Sequence, residues 1–177
     1  MRVRFPRLPD HERAYALVER DDGAVYRLYG GPAGPRLPHD IVHLVVEREL
    51  RIGDGTWGAV AAGLGRGSQP GLRAELLADL VESVAGLDHP SDTQILTLAA
   101  TKLAVLPDTG AAVEPAEIAA AAQALQVEAA RWARLRVGEE LSYDWPRAAH
   151  AAQARRARVR KPRIVRSSRK REGRRPT

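Results

Sequence analysis

Strand-patterned segments stand at the two ends of the first 146 residues of this chain, and what lies between them carries helical spacing. Val3 and Phe5 alternate with charged residues ahead of Pro6 and Pro9. Tyr15 to Arg20 and Val25 to Tyr29 read as strands joined through Asp21-Asp22-Gly23, where the Asp-Gly pair signals a hairpin turn. Leu141 to Trp145, fenced by Gly138 and Pro146, is the last strand-like piece. Strands gathered at both ends argue against an alternating βαβ order. They predict an α+β fold: a small antiparallel sheet, made of the N-terminal hairpin plus the late strand, packed with about four to five helices.

The helices follow from apolar periodicity. After a loop over residues 30–35, Pro38 introduces a helix broken at Gly53-Asp54-Gly55, and a short small-residue helix runs from Trp57 to Leu64. Leu72, Leu76, Leu77, Leu80, Val81, Val84 and Leu87 mark the next, with Glu75, Asp79 and Glu82 on its wet side. Ser91-Asp92-Thr93-Gln94 is a capping box for a helix carrying Ile95, Leu96, Leu98 and Leu103. Pro115 opens the last helix, whose seam reads Ile118, Ala122, Leu125, Ala129 and Trp132. Gly63-Leu64-Gly65-Arg66-Gly67 follows a helix rather than a strand and lacks the G-x-G-x-x-G spacing, so no nucleotide cofactor is expected.

The helix after Pro38 holds the densest chemistry. His39, His43 and Glu47 lie within about 80° of one another on a helical wheel, and Asp40 at about 100°, while Ile41, Val42, Leu44, Val45 and Val46 fill the opposite side. Two imidazoles and two carboxylates on one face have metal-ligand or acid-base spacing. The pattern His39-Asp40-x-x-His43 departs from the zinc-protease H-E-x-x-H in placing Asp where Glu acts as base, and Asp is one methylene shorter. His39, His43, Glu47 and Asp40 are therefore the candidate ligands of a divalent metal, with Asp40 as outer-sphere orienter or base and His11 or His89 as further ligands through the fold. A structural role for the stripe is the competing reading.

Charge divides the chain a second time. The net +6 is the sum of two opposite parts. Residues 147–177 hold 13 of the 28 Lys+Arg and one of the 22 acids, a net +12 that leaves −6 on residues 1–146. The division predicts a folded domain over 1–146 and a basic tail over 147–177, helical at first and then disordered. Arg155, Arg156, Arg158, Arg160, Lys161, Arg163, Arg166, Arg169, Lys170, Arg171, Arg174 and Arg175 form a polyanion-binding arm suited to nucleic acid or an acidic protein. No aromatic accompanies them, so the arm is expected to bind without sequence preference.

Cysteine is absent, which excludes disulfides and thiolate chemistry. No signal peptide is visible behind Met1, and no apolar run approaches the ~20 residues of a membrane span, so the expected compartment is the cytoplasm.

Leu37-Pro38-His39-Asp40-Ile41-Val42-His43-Leu44-Val45-Val46-Glu47 is followed by Trp57-Gly58-x-x-Ala61-Ala62-Gly63 and, late, by Gly138-Glu139-Glu140-Leu141 running to Trp145-Pro146. This set resembles a group of small bacterial proteins that share an L-P-H-D-x-x-H-x-x-V-E segment, a Gly-x-x-Ala-x-Gly stretch and a late Gly-x-x-Leu segment ending in Trp-Pro. Leu44 stands where many of those proteins have an aromatic. The resemblance covers most of residues 1–146 and implies that the domain ends there. It brings no established activity with it.

Two functional expectations result. One is a non-enzymatic binding or accessory protein held to nucleic acid or another polyanion by its arm. The other is a metal-binding protein or metal-dependent hydrolase built on the histidine stripe.

Overall fold

The computed structural model describes residues 1–64, 71–107 and 112–146. In chain order the elements are β1 (Arg2–Pro6), β2 (Arg13–Glu19), β3 (Val25–Pro32), α1 (His39–Glu49), α2 (Thr56–Ala61), α3 (Leu72–Ala85), α4 (Asp92–Lys102), α5 (Pro115–Arg134) and β4 (Glu140–Asp144). The fold is α+β. Basic residues 155–175, assigned to the arm, lie outside the described residues.

β1 is the inner strand that joins the two ends of the body. The sheet order is β3-β2-β1-β4, with every pairing antiparallel. Val3 sits opposite Val18 on one side and Tyr143 on the other, and Phe5 opposite Leu141. These residues alternate onto one buried face with Ala16 and Leu28. Arg4 lies between Glu19 and Glu140 on the other, solvent-facing side. The backbone N–H of Trp145 closes the unit by donating to the Met1 carbonyl at 2.8 Å.

β3 runs through Gly30 and Gly31 to Pro32, where the sequence reads as a loop. Arg13 opposite Pro32 extends the ladder past a bulge between Arg13 and Tyr15. α1 stops at Glu49, earlier than the Gly53-Asp54-Gly55 break, because Arg51 turns left-handed at φ 55°.

The helices cover the buried face of the sheet. Phe5 meets Trp57 of α2 and Tyr143 of β4 edge-on, at 5.6 and 5.8 Å between ring centres. Trp132 of α5 lies under the Arg7 guanidinium. The capping box of α4 forms: Gln94 accepts from the Ser91 backbone N–H at 2.9 Å, and Ser91 Oγ accepts from the Gln94 N–H at 3.4 Å. Two seams differ from their helical spacing. Leu96 of α4 is exposed, with Ala99 in its place beside Ile95. In α5 the exposed Ala129 gives way to Glu128, a buried carboxylate.

Candidate metal centre between α1 and α3

α1 begins at His39 because Pro38, held at φ −57° and ψ 136°, cannot continue a helix backwards. His39, in the first turn, keeps 64% of its side chain exposed, whereas His43, one turn on, keeps 5%. Glu47, another turn on, keeps 1%. The polar stripe therefore dives from the surface into the core and does not stay wet along its length.

α3 crosses α1 antiparallel and brings two carboxylates onto the histidines. Glu75 Oε2 lies 3.3 Å from His43 Nε2, and seven residues later Glu82 Oε2 lies 4.0 Å from His39 Nδ1. The two imidazoles meet edge to face with their Nε2 atoms 3.0 Å apart. One donor atom each from His39, His43 and Glu75 falls within 4.8 Å of the others. Donors around a tetrahedral zinc stand roughly 3.3 Å apart, so this cluster is compact enough to share one ion. Each imidazole also turns its other nitrogen toward a carboxylate, His39 to Glu82 and His43 to Glu47. Both separations exceed hydrogen-bond length, so these carboxylates stand behind the rings without bonding to them.

The stripe's four residues separate into different roles. His39 and His43 come together as ligand-spaced imidazoles. Glu47 stands behind His43 and not beside its Nε2, with Oε1 3.8 Å from Nδ1. Glu75 takes its place in the cluster with the two histidines, and its position on the rim of α3 made it look like an ordinary solvated acid. Asp40 turns toward β3, where Gly30 leaves room: a Cβ there would come 2.6 Å from Asp40 Oδ2. Asp40 and His39 line a cleft of about 670 Å³ with Arg13, Tyr29, Gly30 and Arg36. His89 is fully at the surface beside Asp88, and neither it nor His11 joins the cluster.

Glu47 is the anchor of α2. Its Oε2 accepts from the backbone N–H groups of Trp57 at 2.9 Å and Gly58 at 3.3 Å, which occupy the first turn of that helix. Gly55 makes this approach feasible, since a side chain there would collide with the Glu47 carboxyl group. The Trp57 indole N–H adds a second tie, to the Asp40 carbonyl at 2.8 Å. Burial pushes the Glu47 carboxyl up to about 8, against the opposing pull of the Gly58, Trp57 and Thr56 amides. Burial likewise lowers His43, with Glu75 opposing and the neighbouring His39 adding to the shift. His43 is thus neutral near pH 7, as a metal ligand has to be.

No protein-family model, curated protein or solved structure matches this chain. Among the described residues no helix is long and apolar enough to cross a membrane.

Proposed function

We propose that this protein binds one divalent transition metal of the zinc type between α1 and α3, through Nε2 of His39, Nε2 of His43 and the Glu75 carboxylate. Two histidines and one glutamate are a catalytic donor set, because three protein ligands leave a position for water. A metal held by these three residues would supply a bound water that ionises near neutral pH, so the activity assigned is metal-dependent hydrolysis. Asp40, facing the cleft beside His39, is the carboxylate offered as base. The observation that carries this reading is the close approach of His39, His43 and Glu75 with a carboxylate behind each imidazole. Metal analysis of untagged protein, followed by cobalt(II) substitution, tests it. The expected result is one equivalent per chain with the visible absorption of a tetrahedral site, lost in His43→Ala and in Glu75→Ala. Substoichiometric metal that a chelator strips without moving the melting midpoint would overturn it.

A second reading rests on the charge of +12 carried by residues 147–177 against −6 on the body. It makes the chain a binding protein whose arm, from Arg155 to Arg175, contacts nucleic acid or another polyanion through phosphate-type contacts. The two readings occupy different parts of the chain and are compatible.

A further inference from the structure

The geometry points to Glu47 as the positioning residue of the metal centre, coupling metal occupancy to the docking of α2. This inference rests on the metal reading above. Two buried polar atoms lack a hydrogen-bond partner beside the cluster, His43 Nδ1 and Glu47 Oε1, and they face each other at 3.8 Å. Buried polar atoms are nearly always satisfied, so a facing pair of orphans marks a bond that another state completes.

Ligation supplies that state. A metal on His43 Nε2 takes the lone pair there and leaves the ring proton on Nδ1. Nδ1–H is then a buried donor, and Glu47 Oε1 is the acceptor in front of it. The other oxygen, Oε2, is already committed to the N–H groups of Trp57 and Gly58. One carboxylate therefore meets donors on both sides. It holds His43 in the ligating tautomer with one oxygen and the start of α2 with the other.

Glutamine separates this role from plain structural support. A carboxylate offers acceptors at both ends, whereas a carboxamide offers one acceptor and one donor. In the metal-free protein His43 can carry its proton on Nε2, toward Glu75 at 3.3 Å, and leave Nδ1 to accept from the glutamine amide. The carboxamide oxygen then still serves Trp57 and Gly58. Once metal takes Nε2, the same carboxamide must leave one donor unmet. Glu47→Gln is tolerated without metal and penalised with it.

The test is zinc(II) titration of the full chain, by chelator competition, for wild type and Glu47→Gln, with amide hydrogen exchange read at Trp57 and Gly58. Expected are, at about pH 6.5, a metal-free melting midpoint close to wild type and a loss of zinc affinity of about 10- to 100-fold, the usual cost of removing an outer-shell partner. Zinc should slow exchange at Trp57 and Gly58 in the wild type and much less in the variant. Wild-type affinity in a folded Glu47→Gln, with both amides unaffected, would overturn the coupling and leave the metal reading standing. Failure of the wild type to bind zinc would overturn the metal reading itself. If Glu47→Gln does not fold, wild-type exchange alone decides: protection at Trp57 and Gly58 unchanged by zinc overturns the coupling.

Discussion

The Tyr143 hydroxyl donates to Glu128 Oε2 at 2.7 Å in the protein interior, tying the edge strand β4 to the middle of α5. Arg131, one turn on, reaches both oxygens of the same carboxylate at 2.9 Å. Burial first, and then the bond to Glu128, push the phenol well above its usual range, so it stays a donor at any working pH. Tyr143→Phe keeps the ring against Phe5 and removes only the donor. It should cost about 1–3 kcal/mol, as for other buried bonds to a charged partner. Urea unfolding of the two proteins measures this. A loss under about 0.5 kcal/mol would mean that Arg131 alone satisfies Glu128.

That Glu128 lies inside at all was not legible in the sequence. Helical spacing of threes and fours from Ile118 fits Ala129 as well as Glu128, and hydrophobicity favours the alanine. The phenol that makes burial of Glu128 tolerable is 15 residues away on a strand. The same limit applied to the candidate site. His39 and His43 were readable because one helix carries both at a four-residue spacing. Glu75 was not, because the crossing of α1 by α3 is a packing outcome and no local pattern encodes it. Glu47 was readable as a member of the stripe but not as the anchor of α2, since Trp57 and Gly58 are reached only after the chain reverses at residues 50–55. The strands and their antiparallel sheet were legible, because the Asp22-Gly23 turn and the alternation in β1 and β4 are local signals. The late strand, however, pairs with β1 and not with the hairpin, a long-range choice that no local pattern encodes.

Gly55→Ala should disturb the centre from outside it. The backbone at Gly55 has φ −85° and ψ −167°, values any residue adopts, so the effect is steric alone. A methyl group there collides with the Glu47 carboxyl, which must swing away from Trp57 or from His43. A destabilisation of about 1–3 kcal/mol is expected, as for other overpacked cores. Zinc affinity should fall with it. Calorimetry with and without zinc checks both. Unchanged melting in both conditions would show that α2 shifts to accept the methyl.

Stability of the metal-free protein should decline as pH rises from about 6.5 to about 8. Glu47, raised by burial to about 8 from an ordinary 4.5, holds its proton in the fold across a range where the unfolded chain has lost it. The folded state binds more protons there, so raising pH favours unfolding, by at most about 1.4 kcal/mol per unit for one group. His43 has the opposite sign: its lowered value makes the unfolded chain the better proton binder below 6.5, so stability is lost as pH falls there. Above 6.5 only the Glu47 effect operates. Urea unfolding in chelator across this range should slope downward for the wild type and lie flat for Glu47→Gln. A wild type as flat as the variant would place the Glu47 titration in the ordinary carboxylate range.

The arm should give this protein its affinity for nucleic acid, and the body none. The buried apolar residues of the described core run from Met1 to Trp145, so a chain ending at residue 146 should keep its melting midpoint. With −6 on that body and +12 on residues 147–177, phosphates are repelled by one part and attracted by the other. Contacts of arginine with phosphate release counterions, and binding to duplex DNA should weaken steeply with salt and depend little on sequence. Replacing Arg155, Arg156, Arg158 and Arg160 together by glutamine removes four such contacts. The slope of log affinity against log salt should flatten by about 3–4, at roughly 0.9 per lost phosphate contact. Single replacements should each flatten it by about one at most. A salt titration of the full chain, the quadruple variant and residues 1–146 separates these outcomes. Equal affinity for the full chain and residues 1–146, or no binding by the full chain at low salt, would remove the arm as a polyanion contact and leave the histidine centre as the functional part.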